Sequence, residues 1–180
     1  MIRSLQHVGI AVPDLEVGRA FYEMFGLEAR ASADDLVFRC KGRAQDQIRL
    51  IEAPQKRLAY VSLGTNAVGM QEIKARLQRT GVPIEAAPFK APFGGIWFRD
   101  PIGDWVNVQE AEPAPPAQPV LPEINAPGRY RRIGTRACGV ESAKKQARPL
   151  RLGHLIKFSP DVNRSVDFYA NPVLDRKSVV

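Results

Sequence analysis

Histidine and cysteine are nearly absent from this chain of 180 residues, which has two of each. Cys40 falls in a strand-like run and Cys138 in a basic one. That is no disulfide framework, and a reducing cytoplasm is the expected home. Long apolar runs are missing as well. Nothing approaches the length of a membrane-spanning helix, and the N-terminus lacks the long apolar core of a signal peptide, so no membrane partner is expected.

Acidic residues are scarce in one interval only. Arg129, Arg131, Arg132, Arg136, Lys144, Lys145, Arg148 and Arg151 face Glu141 alone, and eight minus one accounts for the whole net charge of +7. The rest of the chain balances, with 18 basic against 18 acidic residues. The excess therefore belongs to a connector rather than to a folded surface. That connector carries one aromatic, Tyr130, and no recognition helix, so a nucleic-acid partner is not expected either.

What the chain does contain is a repeat. Leu5 to Tyr22 reads L-Q-H-V-G-I-A-V-P-D-L-E-V-G-R-A-F-Y, and Leu152 to Tyr169 reads L-G-H-L-I-K-F-S-P-D-V-N-R-S-V-D-F-Y. At one constant offset His7 meets His154, Pro13-Asp14 meets Pro160-Asp161, and Phe21-Tyr22 meets Phe168-Tyr169. Both histidines of the chain thus fall at one position of a duplicated unit. In the first copy the period is two up to Val12, with Val8, Ile10 and Val12 on one face and His7, Gly9 and Ala11 on the other. Pro13-Asp14 then stops the strand, and Asp14, like Asp161, reads as a helix N-cap. Val17, Phe21, Met24 and Phe25 recur at helical spacing as one apolar stripe, and Gly26 closes the helix. His7 therefore points away from the helix, beside small residues. Two readings stay open for it: a locally hydrogen-bonded histidine, or one lining a concave ligand or metal site.

The unit continues with strands near Leu36–Cys40 and Gln47–Glu52. A fainter second unit follows: a strand over Arg57–Leu63, a helix over Gly69–Arg79 ended by Gly81, then strands at Val82–Glu85, Gly95–Arg99 and Trp105–Gln109. Asp100-Pro101-Ile102-Gly103 fits a type I turn residue by residue. Trp97 and Trp105 read as core or cup-lining aromatics. From Pro113 a proline-rich stretch reads as an extended linker, and the basic segment follows it. The division predicted is 1–112 as a domain of two units, 113–149 as linker, and 150–180 as the strand and helix of an incomplete third unit. Pro172 is expected to break that last helix early. Residues 150–180 are expected to dock loosely or to be disordered.

The pattern H-V-G-I-A-V-P-D-L…F-Y, the later D-P-I-G-D-W-V-N-V, and the restarted G-H-L…P-D-V…D-F-Y resemble the vicinal oxygen chelate superfamily. That group includes glyoxalases, bleomycin-resistance proteins and type I extradiol dioxygenases. The resemblance covers residues 2–111 and 150–171. It implies an α+β fold of paired βαβββ modules that form an open, curved mixed β-sheet barrel, plus the start of a third module. The arrangement is most similar to an extradiol ring-cleaving dioxygenase, whose N-terminal module pair has no metal and whose C-terminal pair binds Fe(II) or Mn(II). The chain looks like a truncated or frameshifted version of such an enzyme, or a naturally short one.

The resemblance also implies a ligand test. Metal ligands in this superfamily come from the first and last strands of each module. Those positions here offer His7, Arg49, Arg57 and Asn107, and arginine has no lone pair to give. The first cup is thus expected to be structural or a pocket for an organic anion, with those four residues as its candidate substrate-binding set. His154 matches the first iron ligand of the catalytic half in the extradiol pattern, and it is the only metal-ligand candidate. A 2-His-1-carboxylate triad leaves positions open for a catechol and dioxygen, but the chain has no third histidine to complete one. Expectations are thus an extradiol-dioxygenase-like protein acting on a small aromatic substrate, this chain lacking a full metal set. The alternatives are a bleomycin-resistance-type binding module and a glyoxalase-like isomerase, the latter weakened by Arg49 and Asn107. An unpaired sheet edge favours self-association into a homo-oligomer.

Overall fold

In the computed structural model the residues described are 2–32, 35–89, 91, 93–115, 128 and 149–170. Seven strands form one mixed sheet. The first unit contributes β1 (Ser4–Val12), α1 (Leu15–Met24), β2 (Leu27–Ser32), β3 (Asp35–Cys40) and β4 (Ile48–Glu52). The second contributes β5 (Arg57–Thr65), α2 (Ala67–Arg79), β6 (Ile96–Arg99) and β7 (Trp105–Glu110). Strand order is β2-β3-β4-β1-β5-β7-β6. Each unit has one parallel pair, β1 with β4 and β5 with β7, and the units meet where β1 runs antiparallel to β5. This is the expected α+β architecture of paired modules.

Alternation along β1 sorts its side chains as the sequence predicts. Ile10 and Val12 join Leu36, Phe38, Cys40 and Leu50 in a core under α1. Ala11 faces the other way, among Ala59, Tyr60 and Trp97. The second core, under α2, packs Met70, Ile73 and Leu77 on Val61, Phe98, Val106 and Val108. Helix caps also fall where expected. The Asp14 carboxylate accepts from the backbone N–H of Glu16 and Val17, and Asn66 caps α2 through Gly69.

Two local expectations are corrected. The apolar stripe of α1 faces solvent: Val17 is 67%, Phe21 55%, Met24 72% and Phe25 53% exposed. Leu15 and Tyr22 pack on the core instead. Gly18 lets the helix press close, since a Cβ there would stand 2.4 Å from the Leu50 side chain. The second unit also has two full strands after its helix rather than three. Residues 82–85 make a single bridge, Glu85 to Trp97, because Pro83 has no N–H to give a ladder.

The third unit touches the second at a few points over its described residues. After an extended run, α3 (Val162–Phe168) starts at Asp161, whose side chain caps Arg164 N–H. Phe168 and Tyr169 pack against the α2-side core. The Lys157 ammonium pairs with both Asp100 and, at 2.8 Å, Asp104. The Tyr169 hydroxyl donates to the same Asp100 oxygen at 2.7 Å. The other oxygen of Asp100 caps the turn between β6 and β7, accepting from the N–H groups of Ile102 and Asp104. Arg43, buried after β3, donates to the carbonyls of Ala114 (2.8 Å) and Leu150 (3.3 Å) and so holds two distant points of the chain together. Most of the linker 113–149 and the expected break at Pro172 lie outside the described residues.

Gly9 opposes Tyr60 across the seam, and a Cβ at Gly9 would lie 2.0 Å from the Tyr60 ring. Gly9→Ala is expected to cost about 2–3 kcal/mol, the scale of overpacking in a filled core, read as a lower urea midpoint at unchanged m. Lys157→Ala should leave that midpoint nearly unchanged in residues 2–112 while raising hydrogen exchange in 150–170, measured by mass spectrometry.

Candidate functional site

The concave face of the sheet collects the polar and aromatic residues that the two cores exclude. His7 lies on β1 directly opposite Ser62 of β5. Its ring stands edge-on to Tyr60, with centroids 5.4 Å apart, and to Phe93 at 4.7 Å. The Arg49 guanidinium of β4 lies 5.6 Å from the Phe93 ring and pairs with Asp35 at 3.1 Å. Burial, and then the Arg49 cation, lower the His7 pKa to about 4, so the imidazole is neutral at physiological pH. Burial likewise pushes the Tyr60 phenol well above its ordinary value.

Aromatic side chains fill one end of this cup. Phe89 and Phe93, from the segment before β6, contact Tyr60 and Trp97. At the other end a cavity of about 370 Å³ remains, lined by Gln6, His7, Val37, Asp46, Arg49 and Phe93 among others.

The four candidate binding residues separate. His7 and Arg49 share the cavity wall. Asn107 is fully buried, accepts from the Ser62 hydroxyl at 2.8 Å and donates to the carbonyls of Gly94 and Ile96. It ties β5, β7 and the start of β6 together, with its amide group engaged on the protein itself. Arg57 stands exposed at the first residue of β5, opposite Ala11, at the rim of the sheet. On β5 the inward positions belong to Tyr60 and Ser62, both fully buried. A slip in β5 places them there, since the pairing with β1 shifts between Gly9 and Ile10 and upsets a simple count from the strand start.

His154 lies exposed on the extended run before α3, eight residues ahead of the helix as His7 is ahead of α1. Among the described residues no three His, Cys, Asp or Glu side chains are grouped to hold a metal ion. The first cup offers one imidazole beside a guanidinium and the Asp46 carboxylate, and His154 belongs to no group of three such ligands among the described residues. The described residues therefore do not by themselves make a set that fits the Fe(II) or Mn(II) that the family resemblance implies.

Sequence reasoning missed Tyr60, Phe89, Phe93 and the acids Asp35 and Asp46. One signal for the aromatics was available: the tandem Ala-Pro-Phe of residues 87–93 repeats at a spacing of four. No local pattern marks the two acids, which meet Arg49 and Arg39 only through strand pairing.

The His7 shift carries a pH dependence. A histidine whose folded pKa lies below its unfolded value binds its proton more readily when unfolded. Stability is therefore full above about pH 6.5 and falls as pH drops toward 4, by up to about 3 kcal/mol. Asp46, whose carboxyl burial raises, acts in the opposite sense. Urea midpoints from pH 7 to pH 4.5 should decline in the parent chain, and His7→Phe should flatten that decline.

Comparison with known proteins agrees with this geometry. The family model described as Glyoxalase/Bleomycin resistance protein/Dioxygenase superfamily matches residues 4–108. Metapyrocatechase 2 of Cupriavidus necator is 31% identical over 172 residues, 93% of this chain and 51% of that protein. The chain thus spans about half the length of the curated relative it matches. Among solved structures, BphC, a halotolerant catechol dioxygenase, superposes with a TM-score of 0.67 at 20% identity, covering 96% of this chain and 55% of the other. A catechol 2,3-dioxygenase gives 0.63 at 19%, covering 93% and 57%. The Mn(II)-bound glyoxalase from Novosphingobium aromaticivorans gives 0.51 at 22%, covering 63% and 42%. These likenesses show a shared fold, and no helix among the described residues is long and apolar enough to cross a membrane. By its repeat, its sheet and the match over residues 4–108, the chain belongs to the glyoxalase/bleomycin resistance protein/dioxygenase superfamily.

Proposed function

We propose that this chain is the metal-free module pair, with the opening of the next module, of an extradiol-type dioxygenase that cleaves a catechol-like ring. The observation that carries the reading is the similarity to Metapyrocatechase 2, which runs through 93% of the chain and includes the third unit. The geometry supports the division of labour. One end of the first cup is packed with aromatics, and at the other Arg49 sets a guanidinium, which has no lone pair to give a metal, beside His7. The catalytic metal, Fe(II) or Mn(II), and the aromatic diol belong in this reading to the whole protein, with His154 as one ligand. The exposed apolar face of α1 offers a surface for self-association.

A second reading, a small-molecule binding module, is favoured by the cavity beside His7. Elemental analysis of the purified chain after anaerobic Fe(II) loading distinguishes the two from an autonomous enzyme. Well under one equivalent of iron is expected, with no yellow ring-cleavage product from catechol or 2,3-dihydroxybiphenyl. Stoichiometric iron with turnover would overturn the proposal.

A further inference from the structure

The cavity beside His7 has chemistry of its own. It opens between β1, β3 and β4, with Val37, Ile48 and Phe93 as apolar wall and Gln6, Asp46 and Arg49 as polar wall. Its volume of about 370 Å³ lies within the range of small-molecule sites.

Three features restrict what it accepts. The first is hydrogen bonding: His7 Nε2 is buried and has no hydrogen-bond partner among the described residues. A buried nitrogen of this kind carries a desolvation penalty that a bonded partner removes. The second is charge. Arg49 is matched by Asp35 at 3.1 Å, and Asp46 is matched by Arg39 at 2.8 Å. Of these, Asp46 and Arg49 line the cavity, so an incoming anion meets a carboxylate and an incoming cation meets a guanidinium, and neither sign is favoured. The third is shape: the Phe93 ring, already edge-on to His7, leaves one wall for a flat apolar body. The neutral imidazole can donate or accept at Nε2 according to its tautomer.

We propose that this cavity is a binding site for a small neutral hydroxy-aromatic molecule, its hydroxyl bonded to His7 Nε2 and its ring against Phe93. The proposal rests on reading the first cup as metal-free and goes beyond it by giving that cup a ligand.

The chain's two histidines make the test direct. Phenol is titrated into the full chain, and the imidazole resonances are followed by NMR, with His154 as internal control. Saturable movement of the His7 resonances is expected while those of His154 stay fixed. Benzoate at the same concentrations should leave His7 unmoved, and cyclohexanol should bind at least several-fold more weakly. His7→Phe and, independently, Phe93→Ala should each weaken phenol binding about tenfold or more, followed by tryptophan fluorescence. If the first variant does not fold, the second still decides. A still His7 signal, benzoate binding as tight as phenol, or equal non-saturating shifts of both histidines would each overturn the proposal. Iron binding in the separate metal assay would instead overturn the metal-free reading, so the two failures are distinguishable.

Discussion

Everything on the concave face depends on how closely β1 and β5 approach each other. The two units share one sheet because these strands pair antiparallel, and the Tyr60 ring lies where a side chain at Gly9 would be. That single missing Cβ decides three things. It lets a full aromatic cluster form around Tyr60 and Trp97. It sets His7 edge-on between two rings. It also leaves space at the β3–β4 end while the other end is packed shut. A sheet seam closed by a side chain of ordinary size would have had a shallower, wetter face.

Local chemistry made much of this readable in advance. Proline-aspartate pairs announce helix starts because a carboxylate can satisfy free N–H groups wherever it occurs, and both Asp14 and Asp161 do so. The period of two in β1 likewise fixed which face His7 takes. The turn at Asp100 closes as read, with Gly103 N–H bonded to the Asp100 carbonyl. The failures share a cause. The apolar stripe of α1 misled because burial there follows closeness to the sheet, and Gly18, which counts for little on a hydropathy scale, is what permits closeness. Sequence could not show that the Asn107 amide, though inward on β7 beside Ser62, is bonded to Ser62, Gly94 and Ile96, or that Arg57 lies at the exposed rim of β5. Asp35 and Asp46 could not be found at all, since their partners come from neighbouring strands.

The two histidines of the repeat illustrate how duplication separates sequence from environment. Each stands the same distance before a capped helix, yet His7 is enclosed and neutral while His154 stands in solvent on a run without strand partners among the described residues. The difference comes from the strands on either side. β4 and β5 flank β1 and bring Arg49 and Tyr60 against His7. What anchors the later copy is not a sheet but a cluster of charges, Lys157 with Asp100 and Asp104, reinforced by the Tyr169 hydroxyl. Its helix therefore sits in place while the extended run before it keeps Ile156 and Phe158 exposed, at 82% and 93%.

The grip of Arg43 on Ala114 and Leu150 has a consequence for how such a fold can vary. One guanidinium is the common partner of two carbonyls far apart in sequence, so both attachments hang on a single side chain. A substitution at that one position would release the two together.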